Sequence, residues 1–123
     1  MTSSSLSPNM FKGMKNYQEL LLCVFSLNDF EVEVYLALTK VGESRVDKLA
    51  DQMNRERTAV YRALQKLVSC GVCYKTTKTS KHGGGYFHLY SAAPLNVVKK
   101  KIGDRIEEWY SSMKESLKKF DER

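Results

Sequence analysis

Apolar residues recur along the chain in two rhythms, helical at both ends and alternating in between. From Met14 they fall at Met14, Tyr17, Leu21 and Val24, a spacing that makes one helical face, widened by Leu20 and Phe25. This first helix is expected to end near Ser26. Asn28 then reads as an N-cap, with Glu31 placed to reach back to it in a capping-box variant and Leu27 and Val32 forming a hydrophobic staple. Val34, Leu38 and Val41 carry the second helix inward, broadened by Leu36 and Ala37, until Gly42 stops it in a left-handed position. Ser44 is expected to cap a short third helix from Arg45 to about Gln52, with Asp47 in its first turn and Val46, Leu49, Ala50 and Met53 as its apolar residues. Asn54 suits a turn and can cap the next helix, about Arg55 to Ser69. There Val60, Leu64 and Leu67 face the core beside Ala63 and Val68, and Gly71 is the stop signal.

From Val72 the period changes to two. Val72, Tyr74 and Thr76 alternate with Cys73, Lys75 and Thr77, and Ser80–Gly85 is rich in turn residues. The return run Tyr86–Ser91 puts Phe87 and Leu89 on one face and Tyr86, His88 and Tyr90 on the other, so residues 72–91 read as a β-hairpin. After Pro94 a long helix is predicted, with apolar residues at Leu95, Val98, Ile102, Ile106, Trp109, Met113, Leu117 and Phe120. Their steps of 3-4-4-3-4-4-3 form an 11-residue repeat, suited to a nearly straight or slightly right-handed helix pair. Gly103 weakens this helix by about 1 kcal/mol relative to Ala. The expected fold is mainly α with a small β-hairpin wing. Residues 1–13 (MTSSSLSPNMFKG) read as a disordered leader, 14–93 as the folded domain and 94–123 as a dimerisation helix.

Length changes the picture by excluding much. The chain has 123 residues, room for one domain with appendages and none for a two-domain enzyme with its own cofactor fold. The longest apolar cluster, Leu20–Phe25, falls far short of the ~18 residues of a membrane span. No export signal is legible, and three cysteines (Cys23, Cys70 and Cys73) fit a reducing compartment, so a cytoplasmic protein is expected.

Charge matters more by position than by total. The net is +6, and the segment Arg55–Lys81 holds seven bases against one acid, Glu56. The other 96 residues are neutral, with 13 bases and 13 acids. A basic segment on a neutral scaffold is the footprint of a polyanion binder. A merely solvated face would interleave acids among the bases. The order helix, short helix, tight turn, helix, hairpin is that of a winged helix-turn-helix, whose second helix enters the major groove of DNA. Arg55 and Arg57 are placed for base edges or flanking phosphates, since the arginine fork matches guanine O6 and N7. Thr58 can meet a phosphate or a thymine methyl, Tyr61 suits a phosphate, Arg62 and Lys66 track the backbone, and Lys78, Lys81 and His82 sit at the hairpin tip against a neighbouring groove or strand.

These residues carry a family likeness. Residues 27–74, LNDFEVEVYLAL…SRVDKLADQMNRERTAVYRALQKLVSCGVCY, resemble the winged-helix domain of archaeal TrmB-like regulators and, more loosely, MarR-type regulators. NRERTAVYRALQKLVSCGV looks like their recognition helix and the entry to the wing. GGGYFHLYSAAP followed by a long helix looks like small archaeal members. The resemblance covers about 90 residues. It implies a sequence-specific dimeric transcription regulator. The sugar-responsive members carry a large C-terminal effector domain that these residues cannot form, so a bound sugar is not carried over.

The final helix is the expected dimer element, its stripe being Leu95, Val98, Ile102, Ile106, Trp109, Met113, Leu117 and Phe120. At 1.5 Å per residue, 26 residues span ~39 Å, more than a small domain needs. A two-fold homodimer would set its recognition helices ~34 Å apart on double-stranded DNA, over a palindromic operator. The competing reading folds the helix back onto its own domain. Cys70-x-x-Cys73 is expected to pack rather than bind metal, because His88 should fall opposite Thr77, too far along the strand from Cys73. No metal, cofactor or catalytic constellation is legible, so no enzyme is expected. Two alternatives stand beside DNA binding: a winged-helix adaptor of the transcription machinery, and a thiol-responsive regulator acting through Cys70 and Cys73.

Overall fold

The computed structural model describes residues 17–81 and 83–120. The leader expected over 1–13, the start of the first helix at Met14, and His82 lie outside the described residues. The elements run α1 (Tyr17–Val24), α2 (Asp29–Val41), β1 (Glu43–Ser44), α3 (Val46–Met53), α4 (Arg57–Cys70), β2 (Cys73–Thr79), β3 (Tyr86–Ala92) and α5 (Leu95–Phe120). The fold is mainly helical with a small β wing, as the sequence predicts.

Local signals set most boundaries. The Asn28 side chain accepts from the Glu31 N–H at 2.7 Å, and the Glu31 carboxylate accepts from the Asn28 N–H at 2.9 Å. This reciprocal capping box satisfies two donors that a helix start leaves without partners. Leu27 and Val32 on either side are buried. Gly71 closes α4 in the left-handed region, at φ 82° and ψ 12°. Gly42 also stops its helix at positive φ, but with ψ −75° it lies outside the left-handed helical well that the sequence predicts.

Three local expectations are corrected. Ser44 does not cap α3: it is buried in β1, its hydroxyl donates to the Arg45 carbonyl, and Arg45 takes the N-cap position without a side-chain cap. Asn54 does not cap α4. It ends α3 in the left-handed conformation, at φ 56° and ψ 47°, and Glu56 takes the α4 N-cap without a side-chain bond. Consequently α4 begins at Arg57, and Arg55 belongs to the turn rather than to the helix. The Arg55 N–H donates to the Ala50 carbonyl at 3.0 Å, which pins this tight turn to α3.

The sheet has the order β1-β3-β2, both pairs antiparallel. In the hairpin Thr77 stands opposite His88, as the turn position predicts, and Cys73 opposite Ala92. β1 has no counterpart in the periodicity of the sequence. It pairs Glu43 with Ser91 and Ser44 with Tyr90, and so ties the chain between α2 and α3 to the wing.

One continuous core joins α1 to the first turns of α5. Leu21, Val34, Leu38, Val60, Leu64, Leu67, Val72 and Val98 are fully enclosed, and Tyr35 nearly so. The Tyr35 hydroxyl meets that of Tyr17 at 2.6 Å, with the rings edge to face. Val98 and Ile102 therefore lie inside the protomer against α1 and its neighbours, which corrects their assignment to a dimer face. Beyond them Arg105 rests over the Phe25 ring at 5.5 Å, and from Ile106 onward every residue through Phe120 is exposed.

Candidate nucleic-acid interface

Helix α4 buries one face, Val60, Ala63, Leu64 and Leu67, and that burial decides what its other face shows. With 3.6 residues per turn, Arg57, Thr58, Tyr61, Arg62 and Gln65 fall outside the buried arc, and all five are exposed. Lys66 is half-buried at the edge. The tight turn at Asn54–Glu56 sets α3 against α4, as a helix-turn-helix requires. Lys75 and Lys78 on β2 and Lys81 in the connection project exposed from the wing. The Ser80 N–H donates to the Gly85 carbonyl at 2.8 Å to close the turn, with Gly83 and Gly85 both at positive φ.

Arg55 departs from this group. Its guanidinium meets the Glu33 carboxylate at 2.9 Å and lies over the Phe30 ring, 4.9 Å from the centroid. An acid on α2 thus compensates a base that the local sequence leaves uncompensated. The structure makes Arg55 a tether between the turn and α2. Arg57 and Arg62 form no ion pair among the described residues.

A cleft of about 310 Å³ opens between the start of α3, the exposed side of α4 and β3. Arg45, Arg57, Tyr61, Tyr86, His88 and Tyr90 contribute to its walls. Tyr90, which alternation puts on one face with Tyr86 and His88, is the strand's most enclosed side chain, 2% exposed. Burial raises its hydroxyl above the ordinary tyrosine value; nearby Tyr61 adds to the rise and Arg57 opposes it. The His88 Nδ1 lies 3.1 Å from the Thr77 hydroxyl across the hairpin. Arg45 lies outside the basic segment, so charge counting along the chain passes over it.

Of the Cys70-x-x-Cys73 pair, Cys73 is shielded from thiol chemistry. Cys73 is buried, and burial, with Cys70 nearby, pushes its thiol up to about 12. A reactive cysteine needs the opposite shift, toward the thiolate. All three described cysteines are free thiols, and no cluster of three or more potential metal ligands occurs among the described residues. No helix among them is long and apolar enough to cross a membrane.

Comparison with known proteins places the chain. Residues 21–96 match the family described as Sugar-specific transcriptional regulator TrmB. Two proteins of Methanocaldococcus jannaschii, MJ1503 and MJ1082, are 33% and 34% identical over 105 residues. Those alignments span 85% of this chain and 79% and 86% of the relatives. Among solved structures, a possible transcriptional regulator from Methanosarcina mazei superposes with a TM-score of 0.72 at 17% identity, covering 83% of this chain and 86% of that one. TrmBL2, described as an archaeal chromatin protein with a novel mode of DNA binding, superposes with a TM-score of 0.65 at 27% identity. That alignment covers 85% of this chain but 39% of TrmBL2. With most of the winged-helix body inside the match, the chain belongs to the TrmB family of transcriptional regulators and has the family's winged-helix fold.

Proposed function

We propose that the protein binds double-stranded DNA sequence-specifically as a homodimer, with α4 in the major groove and the β2–β3 wing on the adjacent backbone or minor groove. The observation that carries this reading is the exposed side of α4. Arg57, Thr58, Tyr61 and Arg62 point away from the core on the second helix of a helix-turn-helix, without acidic partners among the described residues. In this reading Arg57 addresses a base edge or a flanking phosphate, Thr58 a phosphate or a thymine methyl, Tyr61, Arg62 and Lys66 hold phosphates, and Lys78 and Lys81 extend the contact along the wing. Arg55 is half-exposed and pairs with Glu33, so reaching a flanking phosphate means leaving a weak surface ion pair. DNA binding by TrmBL2 supports the assignment.

The homodimer rests on the far half of α5. Ile106, Trp109, Met113, Leu117 and Phe120 recur at intervals of three and four and are 42–69% exposed. Soluble monomers rarely leave so continuous an apolar stripe in water. A second copy of the same stripe, related by a two-fold axis, covers it and sets two α4 helices over a palindromic operator, ~34 Å apart.

The test is affinity for duplex DNA as a function of salt. Phosphate contacts release counterions, so the logarithm of the binding constant should fall with the logarithm of salt by about 0.9 per contact. Arg57→Ala should cost about 1–3 kcal/mol and relax preference at one base pair where Arg57 reads a base, and weaken binding on every duplex alike where it holds a phosphate. A flat salt response overturns the reading.

A further inference from the structure

We infer that the cleft between the start of α3, α4 and β3 is a phosphate subsite, which seats one backbone phosphodiester of bound DNA on Arg45, Arg57, Tyr61 and Tyr90. The inference rests on the DNA-binding reading and adds to it a site off the recognition helix.

Four donors converge there. Arg45 lies with its guanidinium carbon 4.2 Å from the Phe87 ring centroid, and it forms no ion pair among the described residues. Packing on a ring holds the guanidinium while its N–H edge remains able to donate. Arg57, the first residue of α4, also lines the cleft and forms no ion pair among the described residues. The Tyr61 hydroxyl accepts from Gln65 Nε2 at 3.1 Å, so its own proton is left to donate. Tyr90 is the most telling. Its ring is enclosed at 2% exposure, it lines the cleft, and its hydroxyl makes no hydrogen bond among the described residues. No enclosed side-chain oxygen among the described residues lacks a partner, so this hydroxyl is open to solvent at the cleft and free to donate to an oxygen arriving there.

Charge selects the kind of phosphate. Two arginines and one carboxylate, Asp47, line the cleft, a balance of one positive charge. That complements the single negative charge of a phosphodiester. A phosphomonoester, close to a dianion at neutral pH, would be left with excess charge facing Asp47. Position agrees with charge, because the cleft shares Arg57 and Tyr61 with the outward side of α4. A recognition helix seated in the groove brings a backbone strand along that same side.

The test uses the full chain and a duplex site, with affinity measured against salt. Arg45→Ala is expected to weaken binding about tenfold on every duplex alike and to reduce the salt slope by about 0.9, the loss of one phosphate contact. Tyr90→Phe, which removes a neutral donor from a ring that still fills its place, is expected to weaken binding severalfold with the slope unchanged. Replacing single phosphates by uncharged methylphosphonates should reveal one position that weakens the parent protein but not Arg45→Ala. If the parent binds DNA with a steep salt slope while both variants match it and no position is coupled, the subsite is refuted and the DNA reading stands. If the parent shows no salt-dependent binding, both fall. NMR shifts on titrating inorganic phosphate into the DNA-free protein, abolished by Arg45→Ala with no coupled methylphosphonate, would overturn the DNA source in favour of a free anion.

Discussion

The two halves of α5 share one apolar rhythm and occupy different surroundings. In the first half Val98 and Ile102 are closed into the core against α1, and Arg105 over Phe25 marks the last of that contact. In the second half Trp109, Met113, Leu117 and Phe120 continue the same intervals at 42%, 63%, 69% and 69% exposure. Periodicity states that a helix face is to be covered. It does not state by what, because an intrachain neighbour and a second copy ask for the same side chains. The N-terminal half is held by residues of its own chain, whereas the far half carries a stripe that no described residue covers.

The contrast is broken most forcefully by charging the far half. Met113→Glu with Leu117→Glu should abolish the proposed dimer, since burying unpaired carboxylates costs several kcal/mol each. Sedimentation equilibrium should then give the monomer mass, with the circular dichroism of the body unchanged. If the parent protein is already a monomer at the same concentrations, the stripe is no dimer seam. A cut in the body has the reverse signature. Leu64 on α4 is fully enclosed, so Leu64→Ala should cost about 2–5 kcal/mol of folding stability, read from chemical denaturation. It should leave self-association of the folded fraction intact. The smallest effect belongs to the edge of the body. Asn28→Ala removes one of two reciprocal cap bonds and should cost about 1 kcal/mol, visible as a small fall in the denaturation midpoint with unchanged slope.

Legibility in the sequence follows the distance between interacting residues. The Asn28–Glu31 box, the Gly71 stop and the facing of Thr77 and His88 depend on residues near one another in the chain, and each is found as predicted. β1 escaped because two residues carry no period; its existence depends on Ser91 and Tyr90 arriving alongside. The pairing of Arg55 is not legible for a related reason. Its compensating acid, Glu33, is 22 positions away, so a count of charge along the segment sees no partner. Thr58, Tyr61, Arg62 and Lys66 were legible as candidate contacts because the apolar face of α4 alone sets which residues point outward.

By itself the sequence determined the helices, the hairpin, the basic side of α4 and the apolar stripe of α5, all consequences of short-range periodicity and capping. Tertiary structure decided which of those surfaces remain open. It removed Arg55 to Glu33 and enclosed Val98 and Ile102, and it carried Arg45 and Tyr90 from opposite sides of the basic segment to one cleft. The physical reason is that burial and charge compensation depend on neighbours in space, and a cleft between α3, α4 and β3 exists only when three stretches of chain have been packed together.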